Sequence, residues 1–394
     1  MKTLLKNAVL LDRDHENQPL DVLVEDGHIA SVGENLDGGD QIVDLSGWTL
    51  LPGFIDAHVH VAMHDDHFTD ETLTAWAQNG VTTVRELGML CTKPAEEYAP
   101  WIAEMNGRPE TARLIATGKY IDVAGGYGAG PDPRRCVGNI ITTPKEAAAA
   151  VEAAHTLGFP GIKVGIADGM PGAPRMSDAM ISAITDKAKA LGMFTACHIG
   201  TSESLQTMAD CGIGEAAHTP NDPMPDSLIR QMVQRHIPMV TTIGDPDKAM
   251  EPPPGMDMPG GPGGPGGMDP AEMAQQKKAQ NKIMRENLKR FYDAGGTIVL
   301  GTDLMHSRNW QKDAVIPTVE MRQLVESGVP FLEAIKAGTS SAAEVVGTAM
   351  EEGTIEAGKL ANLIAVRGTV DESFRALEDV PFVMHYGTII KDQR

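Results

Sequence analysis

The stretch PGFIDAHVHV, Pro52 to Val61, sets two imidazoles one residue apart inside an apolar run. Phe54, Ile55, Val59 and Val61 favour a strand, and Pro52-Gly53 supplies the turn that starts it. Side chains alternate along a strand, so His58 and His60 point to one side. Such a pair serves either a solvated strand that carries imidazoles or one corner of a metal site, which needs ligands close together. The rest of the chain has to decide between them.

Outward from this run the pattern alternates strand and helix. VTTVREL from Val81, RLIATGKYI from Arg113, GIKVGI from Gly161 and FTACHIG from Phe194 read as strands, as do EAAHTP from Glu215, IPMVTTI from Ile237 and TIVLGTDL from Thr297. Helical stretches such as TPKEAAAAVEAAHTLG and MSDAMISAITDKAKALG lie between most of them. Eight alternating units of this kind predict an α/β chain folded as a (β/α)8 TIM barrel. No GxGxxG or P-loop opens any unit, which sets aside a doubly wound open sheet.

The barrel is expected over residues 51–352. Residues 1–50 and 353–394 are short alternating runs with Gly turns, expected to form one small β-sandwich domain assembled from the N- and C-terminal segments. A Gly/Pro-rich insertion at 244–270 follows the seventh strand and belongs to the barrel mouth. Its centre, EPPPGMDMPGGPGGPGGMDP from Glu251 to Pro270, cannot hold a helix or a central strand. It is either surface decoration or a lid over substrate. Asp269-Pro270 reads as an N-cap and the first residue of the helix that follows.

Composition narrows the partners. The chain has 394 residues and a formal net charge of −21, so nucleic acid and anionic membrane would both repel it. No apolar run reaches the length of a membrane span, and Lys6 and Asn7 break the only N-terminal one, so no signal peptide is read. Cys91, Cys136, Cys197 and Cys211 form no CxxC, which points to reduced thiols and a cytoplasmic location. The expected partners are a small-molecule substrate and further copies of the chain in a homo-oligomer.

On the predicted strands, His58 and His60 fall on the first, Lys163 on the fourth, His198 on the fifth, His218 on the sixth and Asp303 on the eighth. Each lies near the C-terminal end of its strand, where the catalytic groups of a barrel converge. Chance would scatter the histidines over helices and loops, as His15, His28, His155 and His236 are scattered. The constellation favours the metal reading of the HxH pair.

GFIDAHVH, GIKVG, ACHIG, AAHTP and LGTDL together resemble the amidohydrolase superfamily of metal-dependent hydrolases, over essentially the whole chain. TTVREL, GGYG and LGTDL look most like its branch of imidazolonepropionase-like proteins and Xaa-Pro dipeptidases. Two departures stand out: Tyr127 replaces the histidine of a Gly-Gly-His-Gly loop, and Ala217 replaces a glutamate before His218. The resemblance implies two divalent metal ions, with His58, His60 and Asp303 on one, His198 and His218 on the other, and Lys163 between them. A protonated ammonium cannot ligate a metal. Flanked by Ile162 and Val164, Lys163 is desolvated toward the neutral amine, which adds carbon dioxide to give a carbamate with anionic oxygens. Zinc suits the imidazole and carboxylate set best, and manganese, iron or cobalt fit the same ligands.

The expected function is a metal-dependent hydrolase that cleaves an amide-type C–N bond of a dipeptide, an N-acyl amino acid or a cyclic amide. A metal-bridging hydroxide is the nucleophile and Asp303 moves the proton. The alternatives are a mononuclear deaminase, for which Glu203 and Glu215 are poorly spaced, a carbamate, ester or phosphotriester hydrolase, and last a non-catalytic binding or assembly protein. Tyr127 and His306 are candidate substrate contacts, and Arg85 or Arg308 a candidate anchor for a substrate carboxylate. His64 and His67 read as solvated loop residues.

Overall fold

The structure, a computed structural model, describes residues 2–61, 70–89, 94–127, 138–166, 174–245, 270–305 and 312–394. His64, His67, Cys91, Cys136, His306, Arg308 and the 246–269 part of the insertion lie outside the described residues.

All eight expected segments contain a strand: Phe54–His60, Val81–Glu86, Arg113–Ala116, Gly161–Gly165, Phe194–His198, Glu215–Ala216, Met239–Val240 and Ile298–Val299. Those that are hydrogen-bonded to one another run parallel. The connecting helices bury one stripe each. Asp178–Ala190 buries Ile181, Ile184, Thr185 and Ala188, the i, i+3, i+4, i+7 spacing of a single face, and starts where the Ser177 side chain accepts from the Met180 amide. Pro144–Thr156 is capped in the same way by Thr143. Pro270–Asp293 begins at the proline that the sequence marks as its first residue.

The parallel strands form two hydrogen-bonded sheets, not one closed ladder. The first has the order Leu304–Met305, Phe54–His60, Val81–Glu86, Arg113–Ala116. The second runs from Asn139–Ile140 and Ile121–Asp122 through Gly161–Gly165 to Ile298–Val299. The eighth strand loses its ladder at Gly301, whose missing side chain leaves room for Val240 and for His58, and at Asp303, which takes a left-handed φ of 54°. Isolated bonds still tie the two sheets together: the Ala57 amide donates to the Leu300 carbonyl at 2.9 Å and the Asp303 amide to the His58 carbonyl at 2.8 Å.

The two ends of the chain share one further sheet of eight strands. Its order is Thr388–Asp392, Phe382–His385, Leu363–Arg367, Trp48–Pro52, Lys2–Leu11, Glu16–Glu25, His28–Gly33, with Gln41–Asp44 also paired to Lys2–Leu11. Both termini meet as expected, but the pairing is that of one continuous sheet. Its core, which includes Leu5, Leu10, Val22, Leu50, Leu363 and Phe382, is separate from the apolar cluster of the parallel sheets. Gly53 joins the two units, and a Cβ there would lie 2.2 Å from Thr82 Oγ1, so only glycine fits. Among the described residues no helix is long and apolar enough to cross a membrane.

Candidate metal centre

Strand alternation does bring His58 and His60 to one side. Ala57 and Val59 take the opposite face and are fully buried. The outer nitrogens of both rings are engaged. His58 Nδ1 donates to the Ala217 carbonyl at 2.9 Å, and His60 Nδ1 lies 3.0 Å from Glu86 Oε1 and 3.2 Å from the Gly88 carbonyl. These contacts fix the tautomer with the proton on Nδ1 and leave each Nε2 lone pair facing inward. Both lone pairs meet the same atom: Asp303 Oδ1 is 3.3 Å from His58 Nε2 and 3.2 Å from His60 Nε2. That oxygen is buried and, among the described residues, makes no hydrogen bond of acceptable geometry. The ligand atoms of His58, His60 and Asp303 all lie within 4.8 Å of one another, so the three can hold a cation.

Lys163 enters from the Gly161–Gly165 strand, 1% exposed, with Nζ 3.3 Å from His58 Nε2. Burial pushes its ammonium down to about 8, although Asp303 pulls the other way. His198 and His218 come from the next two units. His198 Nδ1 lies 2.8 Å from His218 Nε2, and His218 Nδ1 lies 2.9 Å from Thr242 Oγ1. The His58 and His218 rings are 4.7 Å apart, so the histidines line one wall. Tyr127 stacks on His198 with centroids 3.7 Å apart and planes 18° from parallel.

The electrostatics agree with a site short of positive charge at one end. Burial would raise Asp303, but the surrounding imidazoles hold its carboxyl well below the usual range. Burial pulls His60 down, but the carboxylates of Asp303 and Glu86 prevail and push it up to about 9. Burial and then the Lys163 charge hold His58 well below its ordinary value. Burial takes His218 to about 3, and it takes His198 well down too, so both rings are neutral donors. A cation held by His58, His60 and Asp303 would take the place of the proton that those carboxylates attract.

Several functional supports were not read from the sequence. Glu86 orients His60, and Asp56, fully buried, accepts from the Thr302 hydroxyl at 2.6 Å, from the Thr302 amide and from the His58 amide. Asp56 thereby braces both strands that carry the ligands. Asp56 stands two residues before His58, whereas Glu86 stands 26 residues after His60, at the end of Val81–Glu86, with no local signal for its role.

Arg85 does not face substrate. It is 0% exposed, its Nε donates to the Ala57 carbonyl at 2.9 Å, and both Nη groups pair with the Glu215 carboxylate. The same pairing removes Glu215 from any deaminase role, and Glu203 sits exposed on the Ser202–Asp210 helix.

Parallel α/β sheets whose C-terminal strand ends gather histidines, a lysine and an aspartate define the class. Residues 49–391 match the amidohydrolase family, to which the chain belongs. Curated relatives include a dihydroorotase from Enterococcus faecalis, 29% identical over 251 residues, which are 53% of this chain and 57% of that protein. A dihydroorotase from Halalkalibacterium halodurans is 32% identical over 30% of this chain and 28% of its own length. The chain thus matches less than two thirds of either protein. A crystal structure of a Xaa-Pro dipeptidase with bound methionine superposes with a TM-score of 0.78 over 99% of this chain and all of that one, at 21% identity. Phenylurea hydrolase B superposes at 0.75 over 99% of this chain and 97% of that one, at 19% identity. These structures share the fold.

Proposed function

We propose that the protein is a metal-dependent hydrolase of amide-type C–N bonds in small molecules. The observation that carries this reading is the convergence of two inward imidazole Nε2 atoms on the unpartnered Asp303 oxygen. His58, His60 and Asp303 hold one divalent metal, His198 and His218 a second, and Lys163 lies between the two sets. Zinc is the first candidate, with manganese, iron or cobalt as alternatives. Bound there, the metals supply an activated water and polarise the scissile carbonyl.

Lys163 serves as a carbamate. Its neutral amine adds to the carbon of CO2, one C=O electron pair moves to oxygen, and the nitrogen releases a proton to water. Burial supports this by favouring the uncharged amine. Asp303 accepts the proton of the attacking water and passes it to the leaving nitrogen. Tyr127 and, outside the described residues, His306 contact substrate. The isolated bonds between the two parallel sheets support one (β/α)8 barrel over 51–352, with the terminal sheet, 1–50 and 353–394, folded over as a sandwich.

Dihydroorotase and dipeptidase likenesses support cyclic amides and dipeptides as the first substrates to screen. The test is elemental analysis of protein purified without chelator, combined with assays on dipeptides, N-acyl amino acids, cyclic amides and esters. One to two transition-metal equivalents and C–N cleavage that chelation abolishes are expected. A folded, active protein free of metal overturns the reading.

A further inference from the structure

The strand GIKVG carries Lys163 between two glycines that share its face, because residues two apart in a strand point the same way. Neither glycine site is empty space. A Cβ on Gly161 would lie 2.4 Å from the Phe194 ring, and a Cβ on Gly165 would lie 2.3 Å from the Tyr120 hydroxyl. Tyr120 Oη therefore occupies the side-chain position one step beyond Lys163, toward the C-terminal end of the strand. Gly88 gives a second fix on the same neighbours. A Cβ there would meet Tyr120 Cδ2 at 2.6 Å and Lys163 Cγ at 3.0 Å, so the phenol ring and the lysine stem lie side by side.

Tyr120 is 2% exposed, and among the described residues its hydroxyl has no hydrogen-bond partner. A buried hydroxyl left unmade is costly, and a phenylalanine would fill the same space without that cost. The ring is also fixed in place: Tyr127 lies 6.5 Å away and itself stacks on His198. A donor is thus held beside the stem of Lys163, whose Nζ has, among the described residues, one hydrogen-bond contact, to His58 Nε2.

We infer that the Tyr120 hydroxyl donates a hydrogen bond to the carbamate carried by Lys163, and that Gly88 and Gly165 are glycine to let it reach. The inference rests on the carbamate reading above. Tyr120 is a positioning residue, which holds the modified side chain in place and slows its loss of CO2. The phenol is a neutral donor near pH 7 and the carbamate an anionic acceptor, the pairing that strengthens a hydrogen bond.

The experiment uses the full chain stripped of metal and CO2, then reloaded with zinc and 13C-bicarbonate. Three readouts are followed: the carbamate carbon by NMR, bound zinc, and the melting temperature before and after loading. Wild type gains the carbamate signal. Tyr120→Phe is expected to need about tenfold more bicarbonate for half-loading, as removal of a hydrogen bond to a charged group implies. Before loading it melts no lower than wild type, and after loading it melts lower. A purely structural tyrosine gives no such crossing. Gly165→Ala, which displaces the hydroxyl but keeps it, reproduces the loading defect.

Tyr120→Phe that loads at the wild-type bicarbonate concentration overturns the inference and leaves the carbamate standing. An unchanged carbamate signal with a raised KM also overturns it, since the hydroxyl then meets substrate. Wild type that takes up zinc but never shows a carbamate carbon removes the carbamate reading and this inference with it.

Discussion

Two buried basic side chains, Arg85 on Val81–Glu86 and Lys163 on Gly161–Gly165, stand in the two parallel sheets, and the fold treats them in opposite ways. Arg85 has the Ala57 carbonyl on Nε, both oxygens of Glu215 on its Nη groups, and the Phe194 ring 5.2 Å from its guanidinium carbon. Among the described residues Lys163 Nζ has one hydrogen-bond contact, at 3.3 Å, to an imidazole nitrogen whose lone pair is also aimed at Asp303. Guanidinium cannot shed its proton, so burying it requires full pairing. An amine can, and burial drives it that way. The difference separates scaffold from site: the lower cluster, Arg85 with Glu215, is complete in itself, whereas the upper one brings the ligand atoms of His58, His60 and Asp303 within 4.8 Å of one another.

The largest effect that sharpens this contrast belongs to the incomplete cluster. Asp303→Asn preserves shape and a carbonyl ligand but cannot accept a proton. General acid–base catalysis contributes about 10²–10⁴-fold, so kcat is expected to fall by at least about 10²-fold while most metal is kept. Metal analysis beside steady-state kinetics checks this. Near-native kcat with full metal would hand the proton transfer to another group, with His306 the next to test.

The complete cluster should answer in stability instead. Glu215→Leu leaves the Arg85 charge buried and unpaired, and breaking such a pair costs about 3 kcal/mol or more. Arg85→Met combined with Glu215→Leu removes both charges and is expected to recover most of that loss. Urea unfolding of the single and double variants gives the numbers, and kcat per metal-loaded molecule should change far less than in Asp303→Asn. A double variant no more stable than the single one would mean that the pair does more than satisfy itself.

Much of the upper cluster was legible because strand period and strand-end position are local properties. His58, His60, Lys163, His198, His218 and Asp303 could each be placed from its own run of sequence, and all six lie on or beside strands of the parallel sheets. The lower cluster was not legible. Arg85 and Glu215 are 130 residues apart, and nothing in VTTVREL says that its charged face turns inward. Nothing in GIKVG says that Phe194 and Tyr120 occupy the space its two glycines leave. The closed barrel was expected from eight repeating units, but the break at Gly301 and the left-handed Asp303 divides the ladder.

The smallest effect tests whether an unpartnered buried atom is enough, by itself, to mark a site. His385 is fully buried in the terminal sheet, its Nδ1 donating to the Pro109 carbonyl at 2.8 Å, and its Nε2 has no partner. Among the described residues no second ligand atom converges on that nitrogen in the way that Asp303 and two imidazoles converge. Burial lowers its pKa to about 4, against the Pro109 bond, and the nearby Arg113 charge lowers it further. The unfolded chain titrates near 6.5. Between those values the unfolded state binds a proton that the folded state refuses, so the stability tied to His385 is complete above about pH 6.5 and is lost as pH falls toward 4. The expected loss from pH 7 to pH 5 is about 2 kcal/mol, and His385→Gln should flatten that part of the profile. Denaturant unfolding across this range, with zinc held at a saturating level, measures it. An equal slope in wild type and variant would show that Nε2 accepts its proton without penalty, and the distinction between an orphaned atom and a converging set would then have to rest on the metal centre alone.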